Sequence, residues 1–159
     1  MTVFEKIEKL LSQNKIEYQI FEHAPVYTSL QAAQIRNEDP SIGAKSIVAK
    51  ADGQPVLVVV PGDKKIDIKK FKRIFTVKDL RLATADEVFK ICGIEIGAIP
   101  PFGNVINLPI YLDKTLAAKP EIVFNAGLHT VSIKMKTADF VLLVKPTIAD
   151  FSKESQGEN

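Results

Sequence analysis

The residues best able to support chemistry include a loop rich in glycine and proline, which spans residues 93–104 with the sequence GIEIGAIPPFGN. Three residues separate Gly97 from Pro101, and Gly103 follows two positions later. Glycine lets a ligand approach the backbone closely and proline fixes φ, so such a loop can direct amide N–H groups at a carbonyl or phosphate oxygen. The same composition is typical of a buried connector between a helix and a strand, and the spacing alone leaves both interpretations open.

A lysine and two histidines could add charge or proton transfer. Lys45 begins a predicted strand, where its ammonium could stabilise a developing oxyanion in a pocket or simply extend from the strand edge into solvent. His23 and His129 could each act as a general base near neutral pH or have a structural role. No carboxylate pair stands near either histidine at ligand spacing, so the sequence predicts no metal site. Neither a Gly-x-Ser-x-Gly motif nor a phosphate-binding P-loop occurs.

A run of basic residues follows the central strands and consists of Lys64, Lys65, Lys69, Lys70, Lys72 and Arg73. Several of these residues fall on the solvent side of one predicted helix. This pattern is typical of a solvated helix face, and it is equally typical of a surface that contacts an RNA backbone.

The elements that must position these residues follow from local patterns. Capping-box patterns at Thr2, Thr28 and Thr84 predict helix starts, and Asp67 and Thr137 are predicted to cap two further helices. The pair Asp52-Gly53 predicts a hairpin between KSIVAKA and QPVLVVV, whose second strand is apolar on both faces and therefore central. Further strands are predicted in LRLA, PIYLD, EIVFNA and TVSIKM. We expect one α/β domain over residues 1–151, with a mixed, mostly antiparallel curved sheet or small barrel surrounded by helices, and a flexible tail over 152–159.

Composition sets broad limits on function. The chain has 159 residues, of which 46% are apolar and 25% charged, which fits one globular domain. The net charge of +2 is compatible with a nucleic-acid partner without requiring one. The single cysteine, Cys92, excludes a disulfide within the chain. No uncharged apolar run approaches the length of a membrane span, so we expect no membrane partner, no signal peptide and a cytoplasmic location.

Taken in order, several segments resemble the aminoacyl-tRNA editing domain family, which includes the YbaK-type deacylases and the inserted editing domain of bacterial prolyl-tRNA synthetase. The resemblance covers about residues 2–148. The segments that carry it are EHAPVYTSLQAAQI, GAKSIVAK, VLVVVPGDKKIDIKKF, LATADEVFKICGIEIGAIPPFG, IYLDKTL and FNAGLHTVSIKMKTADFVLL. Each segment alone is a weak signal, and their order along one chain makes the resemblance specific.

The resemblance implies roles for individual residues. Gly97 and Pro101 match the family's G-x-x-x-P loop, whose glycine lines the pocket for the aminoacyl ester, and Lys45 matches the family lysine. These two, Lys45 and Gly97, are therefore the expected catalytic residues. The expected substrate-binding residues are His23, Val26, Tyr27, Thr28, Ser46, Pro100, Pro101, Phe102, Gly103, Gly127 and His129. The basic run 64–73 is the expected contact with the tRNA backbone.

The resemblance also implies a reaction and its partners. The chain is expected to hydrolyse mischarged aminoacyl-tRNA as a free-standing trans-editing deacylase, without metal or cofactor, and with help from a ribose hydroxyl of the substrate. The tRNA 3′ acceptor end is the expected partner, with a synthetase or an elongation factor as a further one, and the chain is expected to be a monomer or a homodimer. Alanine or cysteine on a proline tRNA is the first expected substrate. A non-catalytic module of the same fold, which binds a tRNA end, a nucleotide or a protein, is the alternative.

Overall fold

A computed structural model describes residues 1–155 of the chain, and these residues form helices and strands in alternation. The helices are α1 (Val3–Gln13), α2 (Ser29–Arg36), α3 (Ile68–Phe75), α4 (Ala85–Cys92), α5 (Gly103–Ile106), α6 (Lys114–Ala117) and α7 (Thr137–Val144), with a 3-10 turn at Pro40–Ile42. The strands are β1 (Tyr18–Glu22), β2 (Ala44–Ala51), β3 (Gln54–Pro61), β4 (Lys64–Ile66), β5 (Leu80–Leu82), β6 (Ile110–Asp113), β7 (Glu121–Asn125), β8 (Val131–Lys136), β9 (Thr147–Ala149) and β10 (Ser152–Glu154).

The strands form three sheets. The largest has the order β5-β2-β3-β6-β9, in which β6 runs parallel to both of its neighbours. A second, antiparallel sheet has the order β1-β8-β7, and β10 pairs with β4. The predicted single α/β domain with a mixed, mostly antiparallel sheet is confirmed. Within residues 1–155 the largest sheet ends at β5 and β9 without closing, so the open sheet is present rather than the barrel.

Local sequence signals fix several element ends as predicted. Thr2 and Thr84 each form a complete capping box with the glutamate three residues later. The hairpin between β2 and β3 turns at Asp52 and Gly53, whose φ angles of 49° and 83° are both positive, as a two-residue hairpin turn of this hand requires. The first residues of β2 in this hairpin line the cavity of the candidate site.

Two apolar clusters cover opposite faces of the hairpin. The first fills the space between the two larger sheets and includes Val48, Val59 and Phe124, together with residues of α1 and α7. The second lies on the other face, where Val58 and Phe71 pack with Phe151, the residue before β10. Because β3 contributes to both clusters, it is apolar along both faces, as the sequence predicted. Among the helices of residues 1–155, none combines the length and apolar character needed to span a bilayer.

The chain does not become a tail at residue 152, and this part of the prediction is wrong. Phe151 is fully buried, and Ser152–Glu154 form β10 against Lys64–Ile66. The segment is held by Asp113, whose carboxylate accepts hydrogen bonds from the backbone N–H groups of Phe151 and Ser152 at 2.9 Å each. A carboxylate 38 residues away in the sequence gives no local signal, which is why the polar composition of the segment misled the prediction. Residues 156–159 lie outside the described residues.

The predicted cap of the last helix is also wrong. Thr137 is the first residue inside α7, the N-cap position belongs to Lys136, and the Thr137 hydroxyl is buried without a hydrogen-bond partner. Its backbone N–H donates to Pro120 instead, so the position is set by the loop between α6 and β7.

We expect Asp113→Asn to destabilise the protein by about 2–3 kcal/mol, because a buried charged acceptor of several hydrogen bonds is removed. Burial alone would raise the pKa of Asp113, but hydrogen bonds from Thr115, Phe151 and Ser152 outweigh it and lower that pKa. The contribution of this group is therefore present above its unfolded-state pKa and is lost as the pH falls through its lower folded-state pKa.

Urea denaturation of both proteins at neutral and acidic pH measures this difference in unfolding free energy. The matched control is Asp150→Asn, which removes only a half-exposed ion pair with Lys70 and should cost less than about 0.5 kcal/mol. Equal effects of the two substitutions would contradict the role given to Asp113.

Candidate active site

A cavity of about 260 Å³ opens beside the start of β2. Four segments line it together with Gly62, namely residues within 27–36, residues 43–47, residues within 96–99, and residues 124 and 125. It lies where β2 and β7 separate after a single backbone bridge between Gly43 and Val123. The cavity thus occupies a gap between the two larger sheets, beside strands that are themselves firmly held.

The free edge of β2 turns backbone groups toward this cavity. Gly62 donates its N–H to the carbonyl of Gly43 at 2.8 Å, and the register then directs the backbone groups of Lys45 and Ile47 toward β3. The backbone groups of Ala44 and Ser46 therefore point to the other edge of β2, away from β3. On that edge β5 pairs only with residues 49–51, so the backbone N–H of Ser46 faces the cavity. Sequence patterns alone gave no signal for this donor.

The side chains of β2 alternate between the two faces of the sheet. Lys45 shares its face of the sheet with Ile47, which packs on the second apolar cluster, whereas Ser46 shares the face of Ala44 and Val48, which pack in the first. Both Lys45 and Ser46 line the cavity, which therefore wraps around the strand edge. The Ser46 hydroxyl oxygen is buried without a hydrogen-bond partner.

Lys45 is partly withdrawn from water. Burial lowers the pKa of Lys45, and the nearby Asp63 carboxylate offsets part of that effect. A desolvated ammonium interacts more strongly with a developing negative charge than an exposed one does. The predicted placement of Lys45 in a pocket thus agrees with its position in the fold.

The glycine of the G-x-x-x-P loop, Gly97, lies on the cavity wall. Gly97 has φ of 89°, and a Cβ atom there would lie 3.2 Å from Cε1 of His129 and 3.5 Å from the carbonyl oxygen of Tyr27. The side-chain amide of Asn125 donates to the Gly97 carbonyl at 2.7 Å. Glycine is therefore required both for backbone conformation and for space, and the loop is tied to the end of β7.

A polar network behind the cavity connects Asn125 to three more side chains, those of Ser132, His23 and Arg36. Ser132 lies within hydrogen-bond distance of His23 Nε2 at 2.8 Å, of Arg36 Nη1 at 3.2 Å and of Asn125 Oδ1 at 3.3 Å. The Nδ1–H of His23 donates to the carbonyl of Ala24, so in the neutral ring Nε2 is an acceptor. His23 and Asn125 thus compete for the single hydroxyl proton of Ser132.

The Ser132–His23 pair has the spacing of a nucleophile and its base, but its position argues against that role. Ser132 is completely buried and does not line the cavity, and its oxygen also accepts a hydrogen bond from Arg36. A serine nucleophile needs contact with the substrate. We therefore interpret His23 and Ser132 as supports of the cavity floor.

Arg36 is the principal cavity residue that sequence analysis missed. Burial lowers the pKa of Arg36 to about 10, with Glu38 partly offsetting this effect. Its Nε atom is buried without a partner, while Nη2 lies 3.5 Å from where a Cβ on Gly43 would stand. With Lys45 it gives the cavity two positive side chains. The sequence signal for it is an arginine at the end of a helix that contains two alanines, and that signal is weak.

The other predicted substrate-binding residues divide between the cavity and its surroundings. Tyr27 and Thr28 line the cavity, whereas Val26 is buried beside it and bonds to His129 through the backbone. His129 stands behind Gly97, with Nδ1–H donating to the Val26 carbonyl at 2.9 Å and Nε2 at 3.3 Å from Glu95. These residues form the wall around the glycine loop.

The remaining predicted contacts do not line the cavity, and all of them except the partly buried Gly127 lie in the core. Phe102 is fully buried and packs on Phe124 and Phe140, with ring centroids 5.3 and 5.6 Å away. A Cβ on Gly103 would collide with the carbonyl of Leu108, and one on Gly127 would press on Val3 at 3.3 Å. Pro100 and Pro101 are buried between these positions and do not line the cavity. The second half of the loop therefore anchors the first.

The basic run is not a single helix face. Lys64 and Lys65 lie in β4, and the other four residues lie in α3, whose Phe71 packs into the second apolar cluster. Lys64 pairs with Glu154 at 3.5 Å and Lys70 with Asp150 at 3.1 Å. None of the six residues lines the cavity. Their contact with a tRNA backbone stays a prediction.

Within residues 1–155, no group of three or more His, Cys, Asp or Glu side chains is arranged to hold a metal ion. Around the cavity itself, the polar side chains are cations, amides and hydroxyls rather than the carboxylate and imidazole sets that bind divalent ions. The donor chemistry suits an oxygen-rich, electron-rich ligand.

Comparison with known proteins places this site in context. Residues 23–143 match the family model described as aminoacyl-tRNA editing domain. The chain is 30% identical over 154 residues to the multifunctional Ser/Thr-tRNA deacylase ProXp-y of Escherichia coli K12, covering 94% of this chain and 92% of that protein. It is 29% identical over 141 residues to the prolyl-tRNA editing protein ProX of Acetoanaerobium sticklandii, covering 85% and 86% of the two chains.

Solved structures agree with these matches. A structure named as a candidate trans-editing enzyme for prolyl tRNA synthetase superimposes with a TM-score of 0.82 at 25% identity, covering 96% of this chain and 98% of that one. The hypothetical protein APE2540 has the same fold, with a TM-score of 0.83 at 24% identity over 93% of this chain and 99% of that chain.

We expect Lys45 to titrate below the ordinary range of lysine, because burial disfavours its charged form. Replacing its neighbour in Asp63→Asn should lower the Lys45 pKa further, since the carboxylate stabilises the ammonium. Reductive ¹³C-methylation followed by NMR titration measures both values, with the Lys45 resonance assigned from Lys45→Arg. The control is Asp139→Asn in α7, which should leave the Lys45 titration unchanged; a rise in the Lys45 pKa in Asp63→Asn would contradict this electrostatic description.

Proposed function

Because the chain belongs to the aminoacyl-tRNA editing domain family, we propose that it hydrolyses the ester bond between a small amino acid and the 3′ end of a mischarged tRNA. The observation that carries the proposal is the convergence of three groups on one cavity. These are the Gly97 loop, the free N–H of Ser46 at the edge of β2, and the desolvated ammonium of Lys45.

The proposed reaction requires the protein mainly to position the ester and to stabilise the negative charge that develops on it. Water attacks the ester carbonyl, the carbonyl oxygen becomes an oxyanion, and the bond to the ribose oxygen breaks as that oxygen takes up a proton. The Ser46 N–H and the Lys45 ammonium are donors that can stabilise the oxyanion. A ribose hydroxyl of the substrate is the group proposed to help the water, in keeping with a cavity that no carboxylate of residues 1–155 lines.

The backbone of Gly97 and the contacts around it determine the proposed position of the ester. The absence of a side chain at Gly97 leaves room for His129 and the Tyr27 carbonyl beside the loop, and the Asn125 amide holds the Gly97 carbonyl. Positioning of reacting groups in this way can account for a large share of a rate enhancement. In this proposal Asn125, His129, His23 and Ser132 are positioning residues, whereas Lys45 and Gly97 contact the substrate.

The identity of the amino acid is proposed from the polarity of the cavity. Among residues 1–155 the buried hydroxyl of Ser46 has no hydrogen-bond partner, and a hydroxyl on the substrate side chain would supply one. This favours serine or threonine, and the relative from Escherichia coli carries the name Ser/Thr-tRNA deacylase. Alanine or cysteine on a proline tRNA, the first expectation from sequence, stays as the second candidate, supported by the apolar side chains of Ile47 and Ile99 on the same cavity.

The assay that tests the proposal uses Ser-, Thr-, Ala-, Cys- and Pro-esters of proline tRNA, with each of the first three amino acids also on its own tRNA. Loss of a non-cognate ester with Pro-tRNA spared supports trans-editing. Binding of the tRNA end without hydrolysis of any ester would instead support the non-catalytic module. Addition of a synthetase or an elongation factor to the same assay tests whether either is a partner.

We expect Lys45→Ala to lower kcat/KM about 10²–10³-fold, the usual effect of losing one donor to an oxyanion. Initial rates of deacylation, corrected for spontaneous hydrolysis, measure the effect. Lys50→Ala is the matched control, because Lys50 lies on the same strand but pairs with Glu87 at 3.2 Å away from the cavity. Wild-type activity in Lys45→Ala, with the fold intact by circular dichroism, would refute the role of this lysine.

Substitution of Ser46 should separate the two substrate candidates. If the substrate carries a hydroxyl, Ser46→Ala should lower kcat/KM for Ser-tRNA about tenfold, the cost of one hydrogen bond, and change Ala-tRNA hydrolysis less than about twofold. The two esters serve as controls for each other in the same preparation. An equal loss for both would show that the Ser46 side chain does not read the amino acid.

A further inference from the structure

We infer that the exposed ring of Tyr27, packed on His129 at the mouth of the cavity, is a stacking platform for the terminal adenine base of the tRNA. This inference rests on the proposed function, because it requires a nucleotide next to the ester. It adds a binding subsite for the base to a cavity whose other contacts serve the amino acid and the ester.

Tyr27 presents an exposed aromatic ring at the opening of the cavity. The residue lines the cavity, yet it is 65% exposed, so most of its surface faces solvent just outside. Ile96, on the neighbouring loop, also lines the cavity and is 53% exposed. A single exposed apolar side chain needs no explanation, but a flat aromatic ring at a cavity opening offers a surface that a planar ligand can cover.

The ring is fixed in place before any ligand arrives. Its centroid lies 4.5 Å from that of His129, and the planes are inclined by 39°. His129 is itself held by the Val26 carbonyl and lies next to Glu95, and the Tyr27 backbone N–H donates to the Gln31 side chain at 3.1 Å. One side of the ring is therefore occupied by a held imidazole, and the other remains available. A platform ordered in advance avoids part of the entropy cost of binding.

The position of the ring matches the chemistry of the substrate. In the proposed function Gly97 contacts the ester, and a Cβ there would lie 3.5 Å from the Tyr27 carbonyl, so the backbone of Tyr27 would be next to the reacting bond. In an aminoacyl-tRNA the ribose follows the ester and the adenine follows the ribose, so the base must lie at the opening once the amino acid is inside. Stacking on an aromatic ring has no base-pairing requirement and fits a terminal nucleotide that every tRNA shares.

The charge of the cavity supports a nucleotide rather than an apolar partner. Lys45 and Arg36 both line it, and no carboxylate of residues 1–155 does. An RNA end brings phosphates and ribose oxygens to these cations together with a base for the ring. An apolar protein segment would cover Tyr27 and Ile96 but leave the two cations without partners.

The test uses an RNA tetranucleotide of sequence ACC followed by 2-aminopurine, a fluorescent adenine analogue that is quenched when it stacks. We expect the wild-type protein to quench the probe, Tyr27→Leu to abolish quenching, and Tyr27→Phe to retain it. Phe89→Leu is the control for loss of an exposed aromatic ring, because Phe89 is 57% exposed on α4 and does not line the cavity. In deacylation, Tyr27→Leu should raise KM about tenfold and leave kcat close to wild type.

The outcomes separate this inference from the proposed function. Equal quenching by wild type and Tyr27→Leu, with KM unchanged, would overturn the platform while leaving deacylation intact. Quenching that depends on Tyr27 in a protein that hydrolyses none of the esters would support the platform and refute the deacylase. A tRNA whose terminal nucleotide lacks its base should be hydrolysed equally by wild type and Tyr27→Leu, and a difference between them would also overturn the inference.

Discussion

The separation of β2 from β7 is the structural constraint on which the rest of the site depends. A strand edge inside a protein carries N–H and C=O groups that need partners, and here the pairing stops after the bridge at Gly43. Beyond that point the backbone of Ser46 faces a cavity instead of another strand. The donor that can hold an ester carbonyl therefore results from incomplete sheet pairing and needs no specialised side chain.

The surrounding elements maintain the gap between β2 and β7. The first apolar cluster joins the two larger sheets below it, and Arg36, Ser132 and Asn125 fill the polar floor. The buried second half of the 93–104 loop, with Phe102 between two aromatic rings, holds Gly97 at the wall. One short loop thus has two environments, with the exposed Gly97 on the cavity and the prolines and Phe102 in the core.

The electrostatics of the site follow from the same geometry. Lys45 and Arg36 are cations brought out of water at one cavity, and burial lowers the pKa of each. Asp63 and Glu38 offset only part of that cost, so the cavity favours a ligand that brings negative charge or electron-rich oxygen. Asp113, by contrast, has its charge satisfied by hydrogen bonds and serves the fold, since it fastens β10 to the sheet.

Sequence by itself determined the helices begun by Thr2 and Thr84, the Asp52-Gly53 hairpin and the α/β class, because capping and turn formation act over a few neighbouring residues. The roles of Lys45 and Gly97 stay predictions. The tertiary structure alone decided which residues share the cavity. Arg36 meets Ser132 across 96 positions, and Asn125 meets Gly97 across 28. It also assigned Phe102 and Gly103 to the core, placed Gly127 against Val3, and ordered residues 152–155. Such contacts depend on how the sheets pack, and local patterns do not record that packing.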